Sequence, residues 1–170
     1  MNEQILTEVL DRLRNRFYGK YRGSVSSVDE DTLRIKAYVP AVLGEQESGW
    51  CMPCVPYAND QAGIAFIPEA GAGVWIEFEG GDVSYPIWTG CYWRSGEMPG
   101  DAKPAVKTII TKQGLKIILD DDNGKIEISD TNDNTLTLDS SGIKLDHGGS
   151  KTIEVTDSSV SVNSGNLEVT

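Results

Sequence analysis

Seven short units along residues 117–169 constrain the fold of this chain more than any other feature of its sequence. In each unit an apolar residue is followed two positions later by another, and the units recur seven to ten residues apart. Alternation with a period of two is typical of β-strands, so each unit predicts a short strand with one narrow apolar stripe. The units read IIL, IEI, LTL, IKL, IEV, VSV and LEV, and they close at Leu119, Ile128, Leu138, Leu145, Val155, Val162 and Val169.

These units carry too little apolar surface to build a core within a single chain. Residues 107–170 contain no Trp, Tyr, Phe or Cys, and turns of Asp, Asn, Ser and Gly separate the units. A lone meander would leave its stripe in water, so the stripes are expected to meet those of other copies wound about a common axis, which also removes free strand edges. The alternatives are a disordered polar tail, against which the strict alternation argues, and a single-chain β-solenoid, which needs longer and more regular repeats.

Residues 17–96 have a different pattern, in which turn-forming residues separate short β-segments. In GVWIEFE the alternation places Val74, Ile76 and Phe78 on one face of a strand and Trp75, Glu77 and Glu79 on the other. Roughly five or six such strands predict a small closed barrel. A Gly- and Pro-rich linker is predicted at 97–106, before the repeats at 107–170. The barrel segments read GSVSSVD, TLRIKAYVP, CMPCVPY, GIAFIP, GVWIEFE and PIWTGCYW.

Residues 1–16 have the apolar spacing of an amphipathic helix. A helix this short is marginally stable alone, so it is expected to pack on a partner. The chain's one basic cluster lies in and after this helix and forms a candidate docking surface. The candidate docking residues are Ile5, Leu6, Val9, Leu10 and Leu13 on the apolar side, and Arg12, Arg14 and Arg16 from the basic cluster, which continues with Lys20 and Arg22.

The net charge of −11 argues against nucleic-acid binding, because such a surface needs Lys and Arg to displace counterions from phosphates. No apolar run approaches the roughly 20 residues of a membrane-spanning helix, and the first residues lack the pattern of a signal peptide. The chain is therefore expected to be assembled in the cytoplasm, or to leave it by a route that needs no signal.

Three patterns that resemble chemical sites are better explained as structure. His147, the only histidine, lies in the turn DHGGS, where no Ser-His-Asp arrangement is predicted. Glu77 and Glu79 share a strand face at a spacing similar to that of a glycosidase pair, but such neighbours are common on exposed sheets. The run GAGVWI lacks the third glycine and the following helix of a dinucleotide-binding loop. No catalytic residue is predicted, and the chain is not expected to be an enzyme.

The motif CMPC, residues 51–54, has the C-x-x-C spacing of redox and zinc sites. Zinc needs about four ligands, yet only Cys91 and the distant His147 remain to complete a set. Redox motifs of this spacing open a helix, whereas this one lies in a Pro-rich strand region. Cys51, Cys54 and Cys91 are therefore predicted to remain thiols that bind no metal, and no cofactor is predicted.

Several segments, in order, resemble the OB-fold domain of the central spike of contractile injection machines. This is the phage baseplate assembly protein V family, together with the related domain of VgrG proteins in type VI secretion. The resemblance implies an all-β homotrimer, with a short N-terminal helix, an OB-fold barrel and an intertwined triple-stranded β-helix needle. It covers about residues 17–100, in FYGKYRGSVSSVD, RIKAYVPAVLG, SGWCMPCVPYA, AFIPEAGAGVWIEFEGGDVSYPIWTGCYW and GEMP.

The resemblance also implies a function and partners. The function is a structural spike in a phage tail, tail-like particle or secretion apparatus, which pierces the target envelope and contacts the target membrane transiently. Some members of the family carry a lysozyme domain between the barrel and the needle, where this chain has only GDAKPAV. Cleavage of the bacterial cell wall is therefore not expected of this chain. About sixteen residues precede the barrel, in place of the VgrG hub domain, so a separate hub protein is implied.

A tip partner is expected at the other end of the needle. Some spikes of this kind close their tip with a metal held by His-x-His, a motif this sequence lacks. A small PAAR-type tip protein is therefore implied, which would bind Leu167, Val169 and Thr170. Two other functions stay open: an OB-fold protein that binds nucleic acid or carbohydrate and carries an acidic tail, and a wall hydrolase that uses Glu77 and Glu79.

Overall fold

The structure is a computed structural model that describes residues 3–149 and 151–169, except for the side chains of Glu3, Asp11, Arg12 and Glu168. The chain divides between Glu97 and Met98 into two compact units. Fifteen strands and one short N-terminal helix dominate the described residues, which confirms the predicted all-β fold with an N-terminal helix.

The first unit contains two helices and seven strands. Three of the strands are only two residues long. Its elements are α1 (Glu3–Arg14), β1 (Tyr21–Asp29), β2 (Arg34–Tyr38), α2 (Pro40–Leu43), β3 (Met52–Pro53), β4 (Ala58–Asn59), β5 (Ala62–Gly63), β6 (Gly73–Phe78) and β7 (Pro86–Cys91), with a 3₁₀ turn at Glu79–Gly81.

Five of these strands form a curled sheet in the order β2-β1-β6-β7-β3. Neighbouring strands are antiparallel except for β3, which runs parallel to β7. A bridge between Ile35 of β2 and Cys51, the residue before β3, joins the two ends of the sheet, and the Cys51 N–H donates to the Ile35 carbonyl at 2.7 Å. This contact closes the sheet into the small barrel that the sequence predicts.

The interior of the barrel holds nine of the ten buried hydrophobic residues in the described part of the chain. Val74, Ile76 and Phe78 point into it from β6, as the alternation of GVWIEFE predicts. The strand ends at Phe78, however, so Glu79 lies in the 3₁₀ turn and does not share a strand face with Glu77. Gly80 and Gly81 supply the positive φ angles of 57° and 77° that this turn requires. The core residues are Val25, Ile35, Ala37, Val39, Cys51, Val74, Ile76, Phe78 and Trp88.

Two of the predicted barrel strands, CMPCVPY and GIAFIP, are largely absent. The first is reduced to β3, and residues 64–69 form no strand. Pro53, Pro56 and Pro68 lack the backbone N–H that a sheet ladder needs, which explains why pairing stops here. Residues 54–67, which we call the arm, instead contain the β4–β5 hairpin, and residues 56–66 are all exposed.

The second unit is an eight-stranded antiparallel meander in which each strand pairs with the next along the chain. All seven repeat units lie in strands, which confirms the prediction from alternation. The structure adds one strand, β8, before the first repeat unit. The alternation of apolar residues in the repeats does not predict this strand. The strands are β8 (Val106–Ile110), β9 (Lys116–Asp120), β10 (Lys125–Ser129), β11 (Asn134–Asp139), β12 (Gly142–His147), β13 (Lys151–Val155), β14 (Val160–Val162) and β15 (Leu167–Val169).

Short polar side chains hold the turns of this meander. In the turn between β10 and β11, the Asp130 carboxylate accepts hydrogen bonds from the backbone N–H groups of Asn132 and Asn134, at 2.8 and 2.9 Å. The Asn134 side-chain amide also donates to it, at 2.7 Å. These bonds, that of the Asn134 side chain first, lower the pKa of Asp130 to about 2. The Asp- and Asn-rich segments between the units are thus turns with local hydrogen bonds.

Shortening Ile76 is expected to destabilise the barrel in proportion to the volume removed. Ile76 is fully buried, so Ile76→Ala should lower the unfolding free energy by about 2–5 kcal/mol, and Ile76→Val by about 0.5–1.5 kcal/mol. All four Trp residues lie in the first unit, so Trp fluorescence during urea unfolding reports this unit alone. An Ile76→Ala protein that unfolds at the native urea concentration would contradict the assigned core.

Candidate functional site

The repeat strands place their apolar residues in two rows that cross the second unit, which we call the apolar face. Strand register puts residues of successive strands directly opposite one another, such as Leu136 and Leu145, or Leu138 and Ile143. The first row is Ile109, Ile117, Ile128, Leu136, Leu145, Ile153, Val162 and Leu167. The second row is Lys107, Leu119, Ile126, Leu138, Ile143, Val155, Val160 and Val169.

The apolar face is open in the single chain. Leu145 at its centre is 46% exposed and Ile153 is 43% exposed. Among the described residues, Val106 is the only buried hydrophobic residue of the second unit, whereas the first unit has nine. A single chain thus leaves fifteen aliphatic side chains in contact with water, which is unfavourable by about 25 cal/mol for each Å² that a partner would cover.

The opposite face of the same sheet is charged. Lys144 stands opposite Glu154 on the neighbouring strand, with 3.5 Å between the Lys Nζ and a Glu oxygen, and it also lies 3.1 Å from Asp146. The hydrogen bond and the charge of Asp146 raise the pKa of Lys144. Lys125 and Glu127 form a similar pair at 3.0 Å. This face is suited to water, so the apolar face is the one available for association.

The sheet curls around the apolar face and encloses a groove of about 920 Å³. Seven residues of the first row line it, from Ile109 to Val162, and the polar residues Asp130, Asn134 and His147 also line it. The sequence predicts a turn at His147, but this residue is the last of β12, and its Nδ1 forms a hydrogen bond with Oδ1 of Asn134, the residue opposite it on β11. A long groove walled by Ile, Leu and Val fits apolar side chains of other strands far better than a polar small molecule.

Lys107 is the single charged residue in the two rows, and it lies on the first strand. Its ammonium pairs with Asp121, and nearby Lys103 Nζ lies 3.0 Å from Asp122. Lys116 pairs with Asp101 at 2.8 Å. The start of the sheet is therefore held by several surface ion pairs, and the continuous apolar face begins just after it.

The apolar residues predicted for docking in the N-terminal helix lie on α1 and are all exposed. Their exposed fractions run from 46% for Leu6 to 64% for Leu13. Arg14, the last residue of the helix, is also exposed, and the side chain of Arg12 is outside the described part of the structure. The exposed positions on this helix are Ile5, Leu6, Val9, Leu10, Leu13 and Arg14.

The rest of the predicted basic cluster is divided among contacts within the first unit. Arg16 lies beyond the helix, and its guanidinium donates to the Gly80 carbonyl at 3.3 Å and to Asp82 at 3.1 Å. Lys20 lies 3.0 Å from Glu77, and Arg22 stacks over the ring of Trp75 at 5.5 Å. Arg16, Lys20 and Arg22 thus each have a partner within the first unit.

Two of the three residues predicted to bind a tip, Leu167 and Val169, lie on the last strand. β15 is at the edge of the eight-stranded sheet and pairs only with β14. Leu167 and Val169 are 62% and 63% exposed, the highest values on the apolar face. Thr170 is outside the described residues.

The three cysteines differ in their exposure. Cys51 is buried, and burial raises the pKa of its thiol, whereas Cys54 and Cys91 are exposed. Within residues 3–149 and 151–169, no three His, Cys, Asp or Glu side chains form a group suited to a metal ion. That the thiols bind no metal stays a prediction. No helix in the same residues is long and apolar enough to span a membrane.

Comparison with known protein families gives two matches. Residues 21–93, which contain the barrel, match the type VI secretion system/phage-baseplate injector OB domain. Residues 107–168, which contain the meander, match the phage baseplate V C-terminal trimerisation domain. The chain matches no curated protein.

Polar substitutions on the apolar face are expected to weaken the association of chains, whereas the same substitutions on the charged face should not. Leu136→Gln combined with Leu145→Gln places two amides opposite each other in the groove, where desolvation is costly. Thr137→Gln with Lys144→Gln is the matched control, one position along each strand and on the other side. Light scattering at micromolar concentration should show trimers for the control and loss of trimers for the Leu pair. Equal trimer stability in both would contradict the assignment.

Proposed function

Because the chain belongs to the baseplate spike family, whose members are structural proteins of phage tails and type VI secretion systems, we propose that it is the central spike that pierces the target envelope and links a hub to a tip protein. The matches confirm the predicted OB-fold domain, and the trimerisation domain makes the protein a homotrimer. The observation that carries the proposal is the apolar face, which three chains of one trimer can bury together.

The distribution of charge supports a needle built from three intertwined second units. Rows of Ile, Leu and Val would face the common axis, and the Lys and Glu side chains of the opposite face would face water. Every inner strand of this sheet is hydrogen-bonded on both sides, so free backbone groups remain only along the end strands β8 and β15. These are the properties that a spike needs when a contracting sheath drives it through an envelope. Assembly is proposed to occur in the cytoplasm, before the spike joins the baseplate.

The hub is proposed to bind α1. All five apolar residues of this helix are exposed, and a helix of twelve residues gains most of its stability from packing on a partner. Arg12 and Arg14 would border the contact with charges suited to acidic groups on the hub. Arg16 would act indirectly, since its bonds to Gly80 and Asp82 hold the segment between α1 and the barrel.

Removing the apolar side of α1 should abolish hub binding and leave the trimer intact. Leu6→Gln with Leu10→Gln is the test variant, and Gln4→Ala on the same helix is the control. Deletion of residues 1–14 provides a second variant that keeps Arg16 in place. Co-purification with the hub protein of the same baseplate measures binding, and light scattering measures the trimer. Unchanged recovery of the hub with the double variant would count against this role for the helix.

The tip protein is proposed to dock on β15, at Leu167, Val169 and Thr170. An edge strand offers a row of unpaired N–H and C=O groups, and another protein can extend the sheet by adding a strand to it. The exposed Leu167 and Val169 would provide apolar contacts at the same place. A PAAR-type protein of conical shape is the proposed occupant, and this proposal rests on the family resemblance together with the open edge.

Deleting residues 163–170 is expected to remove tip binding while the trimer persists, because the other strands keep their rows of apolar residues. Pull-down of the tip protein by the full-length and the shortened spike measures the effect. Retained hub binding and an unchanged trimer mass serve as controls for folding. Capture of the tip protein at full affinity by the shortened spike would refute the proposed docking site.

A further inference from the structure

The arm, residues 54–67, belongs to the least charged surface of the protein. Residues 48–68 contain one charged side chain, Asp60, in a chain in which 24% of residues are charged. Asp60 lies in the turn of the β4–β5 hairpin, so both sides of the arm are uncharged. Phe66, Tyr57 and Ile64 are 64%, 51% and 43% exposed. Large apolar side chains clustered on a projecting segment are typical of an interaction surface.

A groove of about 420 Å³ lies between the arm and the end of β7. The arm contributes Ile64 and Phe66 to its walls, and β7 contributes Trp88. No charged residue lines it among the described residues, and two of its lining residues are the exposed thiols Cys54 and Cys91. The complete lining is Cys54, Val55, Pro56, Ile64, Phe66, Trp88, Thr89, Gly90 and Cys91.

A second copy of this chain is the occupant that fits these observations. Each copy carries a net charge of −11, so copies repel one another except where their surfaces are uncharged. The trimerisation domain holds three OB domains in one particle, at a local concentration on the order of millimolar, so even a weak contact between them is populated. The uncharged arm and groove form the surface where OB domains can approach without a Coulombic cost.

We propose that the arm and its groove are covered by the neighbouring OB domain of the trimer. In a three-fold arrangement each contact is heterologous, so the groove of one copy meets a different surface of the next. The OB domains thereby form a second ring of contacts, in addition to that of the trimerisation domain. This inference goes beyond the proposed piercing function and does not depend on the hub or the tip.

The two thiols in the groove allow a direct test on the purified full-length trimer. Maleimide labelling is followed over time for each cysteine by peptide mass spectrometry, with the buried Cys51 as an internal reference. We expect slow labelling of Cys54 and Cys91 in the native trimer. In Phe66→Asp, a charge in the contact should separate the OB domains and raise both labelling rates about tenfold or more. Phe66→Ser provides a second variant with a milder expected increase.

Tyr85→Asp is the matched control, because Tyr85 is an equally exposed ring outside the arm, 63% exposed against 64% for Phe66. In this variant Cys54 and Cys91 should react with maleimide as slowly as they do in the native protein. Light scattering and Trp fluorescence confirm that each variant is a folded trimer. Fast labelling of both thiols in the native trimer would refute the proposal, since the purified protein has no hub that could cover them. Slow labelling in the native protein and both Phe66 variants would equally refute it.

Discussion

The apolar face of the second unit is the constraint on which the rest of this protein depends. Cross-strand pairs place fifteen aliphatic side chains in two parallel rows, and none of these side chains is buried in the described part of the second unit. An eight-stranded meander with this face in water would gain little from folding, because its hydrogen bonds merely replace those to water. The homotrimer thus gives this half of the chain the core that a single copy lacks.

The two units bury their apolar side chains in different ways. The barrel closes on itself through the contact between Ile35 and Cys51, and nine residues pack inside it. In the meander each strand pairs only with its neighbours along the chain, so the described sheet stays open and its apolar face is left for other copies. All aromatic residues lie before residue 107, but among the described residues only Phe78 and Trp88 are buried in the barrel core.

Three surfaces of the chain remain for partners once the needle is buried, and each has its own chemistry. The helix α1 presents an apolar stripe bordered by Arg, the edge strand β15 presents unpaired backbone, and the arm presents uncharged aromatic and aliphatic side chains. Because the three surfaces differ in charge and in apolar character, each is suited to a different partner. The charged face of the needle is left for water.

The sequence by itself determined the seven repeat strands, the side of each that is apolar and the need for other chains, since side chains alternate along a strand whatever its surroundings. It also determined the inward positions of Val74, Ile76 and Phe78. Only the tertiary structure decided which rows meet across strands, that β8 adds Ile109 to the first row, and that Cys54 and Cys91 share a groove. Register, strand ends and the bonds of Arg16 depend on residues far apart in the chain, and local periodicity carries no information about such contacts.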